Sequence, residues 1–521
     1  MGTRKKWTPL LLAAALLLLS SCRSNTTGKT FRMDIAAPIV NFDPQFAAGA
    51  DALRILANTQ EGLLAIAEDG LLQNALAQGY TISADRKTYT FTLRDAHWEN
   101  AAPITADDFV FAFERIFGEN PSPYAQNFLA LQNSQAVLAG ELPVSALGIH
   151  APDEKTVIFT LEYADPGFLQ ALALPAATPC NRAFFDSCRG RYGLEQEYTN
   201  ASGAFMVYAW NNSRSVELRK NEQYHAAQSV LPAGVIFYIG RENPLALFED
   251  GRSDIVLASY RQESQLPHSD AILFERTTWC LLFNQAQPPW DNVLLRRALA
   301  GAIDRDALAA LLPDGAYASS TSLLPPALTG NIPQFSPPPS AFAPGEARRQ
   351  LAQAVDILAL RQLPVIELLT ADHPVLVASA EALRQNWSAH LGLACNVTIV
   401  SQEALLLRQQ SANYTVVLAP RTALNSAPAA LLAPFVSDAA NNYTGYASPI
   451  YDSLFAQIDT QARVEDTARV LQIVQNNLLS DAVAIPLYTE TECYFLAKGV
   501  TGISADPFGE RILFRYAQKD D

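Results

Sequence analysis

The chain has 521 residues, 49% of them apolar, which is the composition of a folded protein; its length calls for two or three domains rather than one ordinary core. A formal net charge of −15 disfavours nucleic acid and anionic lipid surfaces as partners. The six cysteines form no CxxC pair, so zinc and thioredoxin-type chemistry lack support.

The chain opens on a leader. Arg4, Lys5 and Lys6 precede the apolar run Pro9–Leu19, which is followed by Leu19-Ser20-Ser21-Cys22. A basic start, a short apolar run and small residues at the cut site make a secretory signal over 1–21. The run falls short of the roughly 20 residues that a spanning helix needs. A cysteine directly after the small residues resembles the lipobox of bacterial lipoproteins. That resemblance implies that Cys22 is lipidated and begins a mature chain of 500 residues with a charge of about −18. The alternative is an ordinary signal peptide with a chance cysteine. The polar stretch Ser24-Asn25-Thr26-Thr27-Gly28 lies in a flexible tether over 22–30. The expected location is the outer face of the cell membrane, or the periplasm in a Gram-negative cell.

Tyr89, Phe91 and Leu93 alternate with threonines, and Val157, Phe159, Leu161 and Tyr163 repeat the pattern; both read as half-buried strands. Between them, Thr105 with Asp108 three residues on resembles a capping box, and Phe109, Phe113, Ile116 and Phe117 share one helical face. Export permits a disulfide, and Cys180 and Cys188 are close enough in sequence to pair. Cys280, Cys395 and Cys493 read as buried small hydrophobes. A helix is expected from Asp291 to Leu312, burying Leu295, Leu299, Ala302 and Ile303. Pro325–Pro344 reads as an exposed connection. Beyond it, strand Val365–Leu369, a helix carrying Leu383, Trp387 and Leu391 that stops at Gly392, and strand Val397–Val400 predict largely parallel strands.

Catalytic signatures are absent. Gly28-Lys29-Thr30 mimics the end of a phosphate loop, but Arg23 stands where that motif needs its first glycine. There is no GxSxG elbow and no HExxH helix, and the six histidines show no metal-ligand spacing. No enzyme activity, catalytic residue, metal or cofactor is expected.

Four stretches, taken in order, resemble the large extracellular solute-binding proteins of peptide-type ATP-binding-cassette (ABC) importers, known as solute-binding family 5. The first runs from Asn74-Ala75-Leu76-Ala77 through Thr88–Asp95 to Pro103-Ile104-Thr105-Ala106-Asp107-Asp108-Phe109. The second is Ser202-Gly203-Ala204-Phe205 with Val216–Tyr224. The third is Leu282-Phe283-Asn284 with Pro288-Pro289-Trp290-Asp291, Arg297-Ala298-Leu299 and Ala302-Ile303-Asp304-Arg305. The fourth is Gly445-Tyr446-Ala447-Ser448-Pro449 with Tyr451-Asp452 and Ile485-Pro486-Leu487-Tyr488. The resemblance implies an α/β, two-lobed periplasmic-binding-protein-like fold with an extra α+β domain inserted in the first lobe. The implied boundaries are 31–45, 179–274 and 482–521 for lobe I, 46–178 for the insertion and 275–481 for lobe II. It also implies a monomer that captures a peptide or other small solute by hinge closure and delivers it to an ABC permease.

The site residues follow from the same resemblance. Members that bind peptides carry an aspartate that pairs with the ligand's α-amino group. Anchoring on Pro428 and Asn441-Asn442 puts Leu424 at that position and Arg421 where a tryptophan is usual. A buried ammonium without a partner is costly. Capture of peptides by a free N-terminus in the usual way is therefore not expected. Arg421 either faces the cleft, favouring a neutral or anionic group such as a carboxylate, or pairs with a local acid or with solvent. Thr278, Trp279 and Cys280 fall where members place aromatic ligand contacts; Trp279 either stacks on cargo or packs between lobes. Tyr124, Asn441 and Tyr443 match other contact regions. A sugar, an opine-like compound or another small acid is the alternative ligand, and a surface receptor or adhesin the alternative role.

Overall fold

The computed structural model describes residues 28–67, 71–165, 167–259, 270–313, 315–329, 342–361, 363–423, 428–439, 441–458, 464–509 and 511–520. Its backbone is one eleven-stranded mixed sheet. In spatial order the strands are Cys395–Val400, Ile366–Ala371, Val416–Thr422, Asp270–Phe283, Ala484–Leu496, Ile255–Ser259, Thr30–Ile35, Gly234–Ile239, Ser215–Lys220 and Phe205–Asn211, with Tyr317–Ser319 added beside Ala484–Leu496.

Two separate cores lie along this sheet. Phe31, Met33, Val216, Phe237, Phe274, Tyr494 and Phe514 belong to one. Leu281, Phe283, Leu299, Leu368, Trp387, Leu418, Tyr451 and Tyr488 belong to the other. Only Asp270–Phe283 and Ala484–Leu496 contribute strand residues to both cores. They pair antiparallel along their length, with register steps between Phe274 and Thr277 and between Trp279 and Cys280. At the second step Cys280 faces Pro486 while Trp279 faces Tyr488, leaving Leu487 as the extra residue. Proline has no N–H to give to the ladder, so a bulge beside Pro486 costs no bond the chain could otherwise make.

A third core fills a module of its own. Its antiparallel sheet has the order Ala77–Ile82, Thr88–Leu93, Thr156–Thr160, Ile149–Asp153. Tyr89, Phe91, Val157 and Phe159 point inward, as their alternation predicts, against helix Ala106–Phe117, which buries Phe109, Phe113, Ile116 and Phe117. The Thr105 amide donates to Asp108 Oδ2 at 3.0 Å and closes the first turn. Tyr163 departs from expectation: the strand ends at Thr160, and Tyr163 is exposed.

The expected helix over 291–312 is two helices, Val293–Gly301 and Arg305–Ala310. The break is chemical. Asp304 Oδ1 accepts the Ala307 amide at 2.9 Å, starting a second helix where the apolar spacing alone suggested continuation. Arg296 and Arg305 fasten these helices to the long strand and its approach. Arg296 Nη2 donates to the Asp481 carbonyl and Arg305 Nε to the Pro486 carbonyl, both at 2.7 Å. Helix Pro374–Leu391 ends at Gly392 with φ 68°, and Trp387 is buried with Nε1 donating to the Leu299 carbonyl. Strands Ile366–Ala371, Cys395–Val400 and Val416–Thr422 are parallel, as expected. Cys395 is only half-buried, because its strand is the sheet edge. Cys180 and Cys188 are both buried and both free. The connection after residue 325 begins buried: Pro325 and Leu328 are inside, and Gln475 Oε1 accepts the Leu323 and Leu324 amides at 3.0 Å. Residues 330–341 of that connection lie outside the described set. No described helix is long and apolar enough to cross a membrane.

Polar contacts tie the module to the first core. Arg115 is paired with Asp43, and Gln45 Nε2 donates to the Ala176 and Thr178 carbonyls at 3.1 and 3.0 Å. Glu99 is bonded twice to Ala201: its amide donates to the Ala201 carbonyl at 2.9 Å, and its carboxylate accepts the Ala201 amide at 3.1 Å. Burial pushes the Glu99 carboxyl up to about 7. The folded state thus holds that proton more tightly than the unfolded chain. The resulting stability is complete below the ordinary glutamate range and is lost as pH rises to about 7. Glu99→Gln keeps an acceptor oxygen without the charge. Thermal melts should give the variant a higher Tm than the wild type at about pH 8 and nearly the same Tm at about pH 4.5.

Candidate ligand-binding cleft

The segments 275–279 and 489–493 cross from one core to the other. Residues directly opposite in paired strands share a face of the sheet, and neighbours along a strand alternate. Thr277 is opposite Thr422 and Glu490, whereas Thr278 is opposite Arg421 and Thr489. One face of the crossing therefore presents Thr277, Trp279, Thr422 and Glu490, and the other Thr278, Arg421 and Thr489.

The first face is polar and partly open. Trp279 is half-buried, and its indole Nε1 donates to Glu490 Oε2 at 2.9 Å. The Tyr317 hydroxyl donates to Glu490 Oε1 at 3.3 Å. Thr277 and Thr422 bond through their hydroxyls at 3.0 Å, and Arg276 pairs with Glu492 at 2.8 Å. Burial pushes the Glu490 carboxyl upward, with Glu492 adding to the shift; the hydrogen bond from Trp279 opposes it.

The second face turns toward helices of the second core. Thr278 is fully buried, and its hydroxyl has no partner among the described residues. The Arg421 guanidinium lies 4.8 Å from the Phe435 ring centre, and its Nη2 donates to the Leu431 carbonyl at 3.3 Å. Its Nε is buried without a partner, and among the described residues no carboxylate pairs with it. Burial lowers its pKa. The Cys280 thiol is buried at 3.5 Å from the Ala419 carbonyl and pushed up to about 12, so it stays protonated.

The crossing thus brings Thr278, Trp279, Cys280 and Arg421 together. The remaining candidates stand elsewhere. Tyr124 is half-buried where the module meets the first core, its hydroxyl donating to the Ala47 carbonyl at 2.6 Å. Asn441 is exposed, and the Tyr443 carbonyl accepts from the Tyr414 hydroxyl at 2.8 Å. Their turn adjoins the far end of the Asp270–Phe283 strand, where the Gln285 amide donates to the Thr444 carbonyl at 2.8 Å. That end is roughly 13 Å along the strand from Trp279. Asn284 fixes the same turn, Nδ2 donating to the Ala412 and Tyr414 carbonyls at 2.8 and 3.1 Å. Cys22 and Leu424 lie outside the described residues. Glu490 and Tyr317 were missed from sequence. Two acids spaced two apart, Glu490 and Glu492, inside a strand with no other charged residue were the available signal.

A separate cavity of about 600 Å³ lies where the module meets the first core, lined in part by Glu61, Arg94, Tyr224, His225 and Arg515. One of its two acids is already engaged: Glu61 accepts from Tyr224 and meets His225, each at 2.6 Å, and Arg515 donates to Tyr224 at 3.0 Å.

An unpaired cation stacked on an apolar helix contributes little stability, and an apolar residue of similar length removes its desolvation cost. Arg421→Met should leave Tm unchanged or raise it, with ligand affinity within about twofold of wild type. A tenfold loss of affinity in calorimetric titration would instead assign the guanidinium to the ligand.

Residues 72–443 match the model of the bacterial extracellular solute-binding proteins, family 5. The chain is 24% identical to the dipeptide-binding protein DppE of Bacillus subtilis over 90% of this chain and 88% of that protein. It is 24% identical to the oligopeptide-binding protein OppA of the same organism over 99% of each. The unliganded open form of the murein tripeptide-binding protein MppA superposes with a TM-score of 0.79 at 21% identity, covering 94% of this chain and 97% of that one. The fold is therefore the two-lobed periplasmic-binding-protein type, and the chain belongs to family 5 of the bacterial extracellular solute-binding proteins.

Proposed function

We propose that the protein is the substrate-binding subunit of an ABC importer. It captures a peptide or a related small solute between its two lobes and delivers it to a membrane permease. The observation that carries this reading is the crossing itself. Two lobes with separate cores are linked by paired strands that twice step out of register, and the open face at that point carries a partly buried carboxylate and an indole. Steps in a ladder concentrate bending where few bonds must be remade. Binding needs no bond-making chemistry, so the protein is read as acting without catalysis, and as a monomer by resemblance to its family. Matches to a dipeptide-binding and an oligopeptide-binding protein support the peptide class.

The inserted module, taken as 46–178, is read as travelling with the first lobe, since Arg115, Gln45 and Glu99 tie it there. Lipidation at Cys22 keeps the receptor at the outer face of the membrane, near its permease.

A ligand that binds only the folded state raises apparent stability, by about 2.7 kcal/mol at a hundredfold excess over Kd. Thermal melts of the mature protein with di-, tri- and longer peptides should show a rise in Tm for a subset. X-ray scattering should show a smaller radius of gyration with that subset. No rise with any peptide and no compaction would refute peptide capture. In cells, Cys22→Ser should leave ligand binding intact and move the cleaved protein to the soluble fraction. A cleaved variant that stays in the membrane would disprove the anchor.

A further inference from the structure

We propose that Glu490 is a subsite for a cationic group of the ligand, an ammonium or guanidinium, and that the solutes this protein takes carry one. The inference rests on the solute-capture reading and adds the chemical class. Glu490 stands between Tyr488, which is in the second core, and Tyr494, which is in the first, so it sits at the junction of the lobes. Its two oxygens are held by neutral donors, Trp279 Nε1 and the Tyr317 hydroxyl. Neutral donors orient a carboxylate without cancelling its charge.

Among the described residues no lysine or arginine pairs with Glu490. Arg276, the guanidinium on the facing strand, is paired with Glu492. Glu492 also disfavours a charge on Glu490. A partly buried acid kept charged without a counter-ion is costly, whereas the same acid meeting a cation makes a charge-assisted bond. Glu490 is half-buried, as are Trp279 and Tyr317, so the carboxylate is in reach of solute.

The buried guanidinium of Arg421 does not compete. Arg421 sits on the opposite face of the same strands, against Phe435. A cation on one side and a carboxylate on the other are separated by the sheet, so an ammonium at Glu490 meets no guanidinium there.

The test uses the mature protein and two matched probes: a mixture of lysine-containing tripeptides, and the same mixture with every amine acetylated. Wild-type protein should bind the free-amine probe at least about tenfold tighter, the scale of one charge-assisted hydrogen bond. Glu490→Gln should erase that difference by weakening the free-amine probe alone, and Glu490→Asp should restore part of it. Free-amine affinity of the wild type should fall as the pH drops, starting above the ordinary glutamate range, because protonating Glu490 removes the anion. The acetylated probe should show no such fall. Equal binding of the two probes by wild-type protein, or equal losses for both in Glu490→Gln, overturns the subsite while leaving solute capture standing. A wild-type protein that binds neither probe overturns the subsite and leaves solute capture to be decided by the melts and scattering above. The wild-type comparison and its pH profile decide the matter even if Glu490→Gln fails to fold.

Discussion

Everything in this molecule depends on the pairing of Asp270–Phe283 with Ala484–Leu496. These strands are long enough to belong to two cores, and their ladder is continuous except at two steps. Each step has a sequence cause or consequence. Pro486 removes a donor at one, and at the other Glu275 and Arg276 are opposed by Thr491 alone. The side chains freed there find partners on each other: Thr491 donates to Glu275 at 3.0 Å, and Arg276 pairs with Glu492. The crossing is therefore held by side-chain bonds where the backbone ladder lapses. Side-chain bonds between partly exposed groups exchange with water more readily than buried ladder bonds do.

Charge is managed differently on the two sides of that junction. In the second lobe the buried arginines are answered by carbonyls: Arg296 by those of Trp290, Asp481 and Ala482, and Arg305 by that of Pro486. Burial pushes both pKa values down to about 10, so both remain cationic at neutral pH. Carbonyl oxygens at chain ends and bulges are acceptors that need donors in any case, so these arginines satisfy two demands at once. Among the described residues Arg421 has only the Leu431 carbonyl and an aromatic face, and Glu490 only neutral donors. Of these four, the two that lack full compensation, Arg421 and Glu490, lie at the crossing.

Much of this was legible in the sequence because local patterns reported local structure. The alternation through Tyr89, Phe91 and Leu93 and the spacing of Phe109, Phe113 and Phe117 each describe one element facing one core, and each came out as read. The helix over 291–312 failed because apolar spacing continues across Ala302 and Ile303 while Asp304 caps a new start; both signals were present, and the cap won. Tyr163 failed because alternation outlasted the partner strand that gave it meaning. At the candidate site, family position led to Trp279 and Arg421 but not to which face of the sheet each occupies. That is set by the register against Tyr488 and Thr489, more than two hundred residues away in the chain. Glu490 escaped for the same reason. Its role depends on Trp279 and Tyr317, and only the folded strands make the three neighbours.

How the parts divide when the lobes move follows from where the bonds are. The module shares with the first lobe a buried ion pair, Arg115–Asp43, the two bonds of Gln45, the Glu99–Ala201 pair and the Glu61–His225 contact. Separating them would strand a guanidinium packed among Phe46, Phe185 and Tyr192 without its carboxylate. Breaking a buried pair by removing one partner costs about 3–5 kcal/mol, so these bonds oppose separation of the module from the first lobe. The crossing carries no buried ion pair of that kind. Its Arg276–Glu492 pair joins two residues on the first-lobe side of the Trp279 step, so bending at that step leaves it intact. Of the two steps, the one beside Pro486 is therefore where rotation of the second lobe costs least.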